Sequence, residues 1–174
     1  MSADWRSTIE VAIKVVGLFA AIFGVYKYFD DIAEARRLAA RQAALAYVAT
    51  YNGPELKSRS QTLFEFWIRN SDAMVFMQTN GMSDADYRSF LLTAFEHDDH
   101  PEQLLDAVYA LSTFYDQVEL CRSARVCDTT VVQAHFCKNA GEFSRKYQPI
   151  FAQLAVLSAV PDFGGGTRTL GQSC

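Results

Sequence analysis

His97-Asp98-Asp99-His100 sets two imidazoles and two carboxylates side by side, the donor types that hold zinc or another divalent cation. Such a site needs a further protein ligand, and His135 is the one remaining histidine. The competing reading is a polar loop between helices, in which Asp99 or His100 caps a helix opening at Pro101. The capping reading is the expectation carried forward, with no metal and no other cofactor.

The four cysteines offer a second chemistry. Cys121 and Cys127 flank a helix turn, Cys137 lies in the following helix and Cys174 ends the sequence. A hairpin can bring Cys121 near Cys127, leaving Cys137 for Cys174, but four cysteines allow three pairings. The spacing is not a paired CxxC zinc pattern, and His135 is the sole histidine near enough in sequence to activate a thiol. Buried, inert thiols are the expectation and disulfides the alternative. No phosphate-cradling glycine loop, nucleophile elbow or HExxH is present, so no catalysis is expected.

The element that positions everything else is Val11 to Phe29, VAIKVVGLFAAIFGVYKYF. A helix rises about 1.5 Å per residue, so about 20 largely apolar residues span a bilayer. Lys14 and Lys27 can snorkel at its two ends, and Tyr26 and Tyr28 suit the interface. No small-residue cleavage site follows, which argues for an uncleaved single-pass anchor over a signal peptide. Gly17, Ala20, Ala21 and Gly24 share one face at the spacing that lets helix backbones approach closely in lipid. Glycine and alanine are also simply common in membrane helices.

The remainder reads as all-α: a lead and anchor over 1–29, an alanine-rich helical stalk over 30–52, a helical bundle over 53–160 and a flexible glycine-rich tail over 161–174. In the stalk Ile32, Ala35, Ala39, Ala43, Ala46 and Thr50 form a slim stripe suited to packing on another helix. Asn52-Gly53-Pro54 separates it from a helix over Glu55 to Met77, with Leu56, Leu63, Phe64, Trp67, Met74 and Val75 as its buried face. Ser83 to Asp86 resembles a capping box for a third helix carrying Tyr87, Phe90, Leu91, Ala94 and Phe95. Pro101 opens a fourth with Leu104, Val108, Leu111, Tyr115 and Val118 inward. Asp128 caps a fifth with Val132, Phe136, Ala140, Phe143, Tyr147, Ile150 and Leu154 inward and a kink at Pro149. From Pro161, with Gly164-Gly165-Gly166, the chain reads as loose.

Of 174 residues half are hydrophobic, and the formal charge of -4 argues against a nucleic-acid partner held by a basic face. Lys27, Arg36, Arg37 and Arg41 follow the anchor against Arg6 and Lys14 before it, which places the bundle on the cytoplasmic face. The even cysteine count suits the opposite, oxidising side. The cytoplasmic face is the expectation.

Phe114-Tyr115 through Cys121, Cys127-Asp128, Phe136 and Tyr147-Gln148-Pro149 resemble a loose group of small bacterial one-pass membrane proteins of unknown function. That resemblance implies an N-terminal anchor, a helical stalk and a helical domain in the bacterial inner membrane, and carries no catalytic residues. The sequence thus points to an accessory or scaffold protein. Its partners are the lipid bilayer and itself or another membrane protein, met through the anchor and stalk. The alternative is an oligomeric membrane effector that forms or gates a pore, with Lys14 facing its interior.

Overall fold

The computed structural model describes the backbone of residues 3–174 and the side chains of residues 10, 14, 16–76, 79 and 81–174. Every regular element among them is helical. The chain divides into two compact units, Met1–Ala39 and Ala40–Cys174.

The first unit is a stretch of α1 (Ala3–Tyr51), a helix that contains no proline and is rich in alanine, the best helix former. The unit boundary falls within the expected stalk over 30–52. Residues 40–51 of α1 belong to the second unit, where Ala44 is fully buried. Ala43, Tyr47, Val48 and Tyr51 pack on the core, with the Tyr51 ring 5.6 Å from that of Phe114. The packing face is therefore carried by tyrosines lying beside the small-residue stripe, while Ala35, Ala39, Ala46 and Thr50 are exposed.

The second unit is assembled on α5 (Pro101–Ser123), which α2 (Pro54–Arg69), α4 (Asp84–Glu96), α7 (Lys138–Leu157) and α8 (Gly165–Gln172) all contact. Proline in the first turn of α5 forgoes a donor that would be unpaired anyway. Leu104, Val108, Leu111, Tyr115 and Val118 are buried as the spacing predicts; Ala107, Ser112, Phe114 and Glu119 are buried too, which makes α5 the central helix. The Ser83–Asp86 capping box is present, and the Asp128 carboxylate accepts the Val131 N–H at 3.0 Å to open α6 (Thr129–Val132). A π-helical turn, Gln133–Cys137, joins α6 to α7 where neighbouring Phe136 and Cys137 are both buried. Helix α7 continues as helix through the buried Pro149.

The single helix expected over Glu55 to Met77 is two, α2 and α3 (Ser71–Asn80), divided at Asn70. The Asn70 amide donates to the Phe66 carbonyl at 2.9 Å and competes with continuation of the helix. Its inward face also differs. Phe66 is fully buried, edge-on to Phe95 at 4.8 Å, whereas Phe64 and Val75 are mostly exposed and Met74 half-buried.

The expected loose tail is a docked helix. Thr167 and Leu170 of α8 are fully buried, and Phe163 stacks on Tyr109 at 5.5 Å. The Asp116 carboxylate of α5 accepts the Thr167 backbone N–H at 2.5 Å and its hydroxyl at 2.8 Å, an N-terminal cap supplied across the fold. Burial holds that carboxyl above the usual range, against the pull of the two Thr167 donors. Gly171 crosses Gly141 so closely that a Cβ there would lie 2.5 Å from the Gly141 Cα. Glycine at 164 takes a left-handed φ of 72° in the turn that leads in.

Both cysteine pairs are disulfides, Cys121–Cys127 and Cys137–Cys174, with Cα separations of 5.3 and 5.7 Å. This corrects the expectation of inert thiols. Loop-closure entropy assigns about 2 kcal/mol to the shorter loop and about 4 kcal/mol to the longer. The Cys137→Ser/Cys174→Ser double variant should therefore lose more stability in denaturant titrations than Cys121→Ser/Cys127→Ser; equal losses would contradict this ordering.

Candidate functional site

The small-residue face expected to mediate helix contact lies in the first unit. A Cβ at Gly17 or Gly24 would meet no other atom within 4 Å, and Ala20 and Ala21 are exposed. From Val16 to Phe29 every large apolar side chain, on all sides of the helix, is more than half exposed. Lys14 is not a lone cation: its ammonium lies 2.7 Å from the Glu10 carboxylate one turn back. No helix, among the described residues, is long and apolar enough to cross a membrane. The side chains of Val11, Ala12, Ile13 and Val15, which complete the expected span, lie outside those residues. Of the other residues of the proposed face, Ala35 and Ala39 belong to the first unit, Ala43 and Ala46 to the second.

The HDDH motif is built for structure. Asp98, its side chain 5% exposed, accepts from the Arg69 guanidinium at 2.7 Å and from the His100 N–H at 3.0 Å. His100 occupies the N-cap position of α5 without a side-chain bond, so Asp98, and not Asp99 or His100, organises the turn. The His97 ring nitrogen faces the Thr93 carbonyl at 3.0 Å, and His100 and His135 are exposed. No group of three or more His, Cys, Asp or Glu among the described residues is placed to hold a metal.

Two grooves in the second unit carry more definite chemistry. One, of about 310 Å3, is lined by Tyr51, Trp67, Tyr115 and Tyr147 with Glu142 and Lys146. Its phenols are committed: Tyr115 donates to the Tyr51 hydroxyl at 3.2 Å, and Tyr147 accepts from the Trp67 indole at 2.6 Å. Burial raises the Tyr115 and Tyr147 pKa values, so both stay protonated at neutral pH. Lys146 covers the Trp67 ring at 3.9 Å, so this aromatic surface is already occupied.

The other groove, of about 670 Å3, runs between α4, the start of α5 and α7. Leu92, Phe95, Leu105 and Pro149 form its apolar lining, with Arg88 and Glu96 among the flanking charges. Arg88, Leu92, Phe95 and Glu96 follow i, i+4, i+7, i+8 spacing and so share one face of α4. Of the stripe expected on this helix, Tyr87, Phe90, Leu91, Ala94 and Phe95, only Phe95 lines the groove.

No family model matches the chain, and neither a curated protein nor a solved structure matches it.

The Arg69–Asp98 pair makes a pH-dependent prediction. Burial tends to raise the Asp98 carboxyl, but the Arg69 guanidinium and the His100 N–H together outweigh it and hold the group below its usual range. As pH falls the unfolded chain takes up the proton first. The stabilisation is thus complete above about pH 4 and is lost as pH drops through the lower folded value. Arg69→Gln should cost about 1 kcal/mol near neutrality, the guanidinium being half-exposed, and the difference from the parent should shrink under acid. Unfolding curves from pH 7 to pH 2 test this, and a gap that widened at low pH would refute it.

Proposed function

We propose that the chain is a single-pass membrane-anchored helical accessory or scaffold protein, without catalysis of its own, that assembles with itself or with a larger membrane complex. Val11 to Phe29 is the span, about 28 Å long as a helix against a hydrocarbon core of about 30 Å. The observation that carries this reading is the apolar surface exposed all round α1 from Val16 to Phe29. A helix apolar on every side buries itself in protein or in lipid, and its own unit supplies no protein to cover it. The Glu10–Lys14 pair near one end brings opposite charges together, which lowers the cost of holding them at the interface.

Gly17, Ala20, Ala21 and Gly24, with Ala35, Ala39, Ala43 and Ala46 further along, form the docking face in this proposal. The open space over Gly17 and Gly24 supports close approach by a second helix. For sidedness the two disulfides weigh more than the lysine and arginine count, because cytosolic thiols are kept reduced. The bundle is accordingly proposed to face the oxidising side of a bacterial inner membrane, opposite to the side the basic residues favour. With its acidic balance, nucleic acid is not among its partners.

Three measurements test this. Alkaline carbonate should leave the chain in the membrane pellet; release into the supernatant would refute the anchor. Maleimide-polyethylene glycol should label intact spheroplasts only after reductant, whereas labelling that requires lysis and no reductant would return the bundle to the cytoplasm. Gly17→Leu and Gly24→Leu should each weaken oligomers in mild detergent by about tenfold, or about 1.4 kcal/mol, because a bulky side chain blocks close approach of the helix backbones. Unchanged assembly in both would remove the small-residue face from the proposal.

A further inference from the structure

The groove between α4, α5 and α7 has a counterpart on the same domain. Phe64 and Ile68 of α2 are 64% and 58% exposed. With Lys57, Gln61 and Glu65 they lie within one narrow stripe of the helix, the pattern of an amphipathic segment that seats its apolar side in a groove. Lys57 precedes Glu65 by eight residues, and Arg88 precedes Glu96 by the same eight, about 12 Å along each helix. Lys57, Arg88 and Glu96 make no ion pair among the described residues, and Glu65 accepts only from Gln61 one turn back.

From this match we propose that the α4–α5–α7 groove binds α2 of a second copy of the chain. Antiparallel alignment sets Glu65 against Arg88 and Lys57 against Glu96, and brings Phe64 within one turn of Leu92. Parallel alignment sets Lys57 on Arg88 and Glu65 on Glu96, two like-charge contacts, so the charges select one direction. The contact joins unlike surfaces, and one domain therefore offers both a donor helix and a receptor groove. It lies wholly within Ala40–Cys174 and does not depend on the membrane anchor.

The test uses the full chain in detergent, with a photo-crosslinking benzoylphenylalanine in place of Gln153, an exposed residue of the groove wall. Isotopically light and heavy copies are mixed, so that mass spectrometry separates contacts between copies from those within one. Crosslinks joining the groove to residues 57–68 of another copy are expected. Phe64→Glu, a change at an exposed position, should reduce their yield at least tenfold; Glu65→Arg should do likewise, and Arg88→Glu added to it should restore them. No crosslink between copies at 57–68, or a yield indifferent to Phe64→Glu, would overturn the inference. Gly17→Leu separates the two proposals, because it acts on α1 alone: these crosslinks should persist in it, and their loss would overturn the groove as an independent contact.

Discussion

The Asp116 carboxylate, receiving both the backbone N–H and the hydroxyl of Thr167, fixes the last helix onto the central one. Much of the bundle's closure follows from it. Helix α8 presents few apolar side chains, and its short length would not sustain it alone. With its N-terminus capped from α5, it lies against α7 closely enough for Gly171 to meet Gly141 backbone to backbone. That docking brings Cys174 to Cys137, and the Gln133 amide to the Ser173 carbonyl at 2.9 Å. Thr167 also hydrogen-bonds the Ser112 carbonyl at 3.1 Å, so the buried polar atoms of this seam satisfy one another. A half-buried carboxylate thus does for α8 what a hydrophobic face does for the longer helices.

Those longer helices were legible in the sequence because one local signal sufficed for each. Pro101, the Ser83–Asp86 box and Asp128 mark their starts through contacts within a few residues, and the inward stripe of α5 recurs at helical spacing over about four turns. What escaped was non-local. Gly164-Gly165-Gly166 reads as a flexible run until Asp116, some fifty residues earlier, supplies its cap. Phe66 outcompetes Phe64 for the core because Phe95 and Trp67 wait on that side. Asn70 divides α2 from α3 through a side-chain bond that helix periodicity does not encode.

The interaction surfaces show the same division. Gly17 and Ala21, and Ala20 and Gly24, share one face because four-residue spacing is a local property. The α4–α5–α7 groove is not local, because its walls come from three helices and exist only once Leu105 and Pro149 are brought beside Leu92 and Phe95. The HDDH motif reads two ways in the sequence. Its donor types fit a metal, yet Arg69, nearly thirty residues away in sequence, takes the one carboxylate that is nearly inaccessible to solvent. Composition alone cannot separate a ligand cluster from a turn held by an ion pair.

The disulfides close the part of the second unit that holds the end of α1. Cys121 and Cys127 close the turn after α5, and the next residue, Asp128, donates its backbone N–H to the carbonyl of Ala40 at 3.0 Å. Ala40 is the first residue of the second unit, so this bond ties the start of that unit to the turn after α5. That start is therefore tied to a covalently closed loop, and through α6 and the π turn to the second disulfide at Cys137. A core of this size can hold itself together without cross-links. Ala44 is the only fully buried residue that α1 contributes among those described, and the rest of its grip consists of half-buried tyrosines and small side chains.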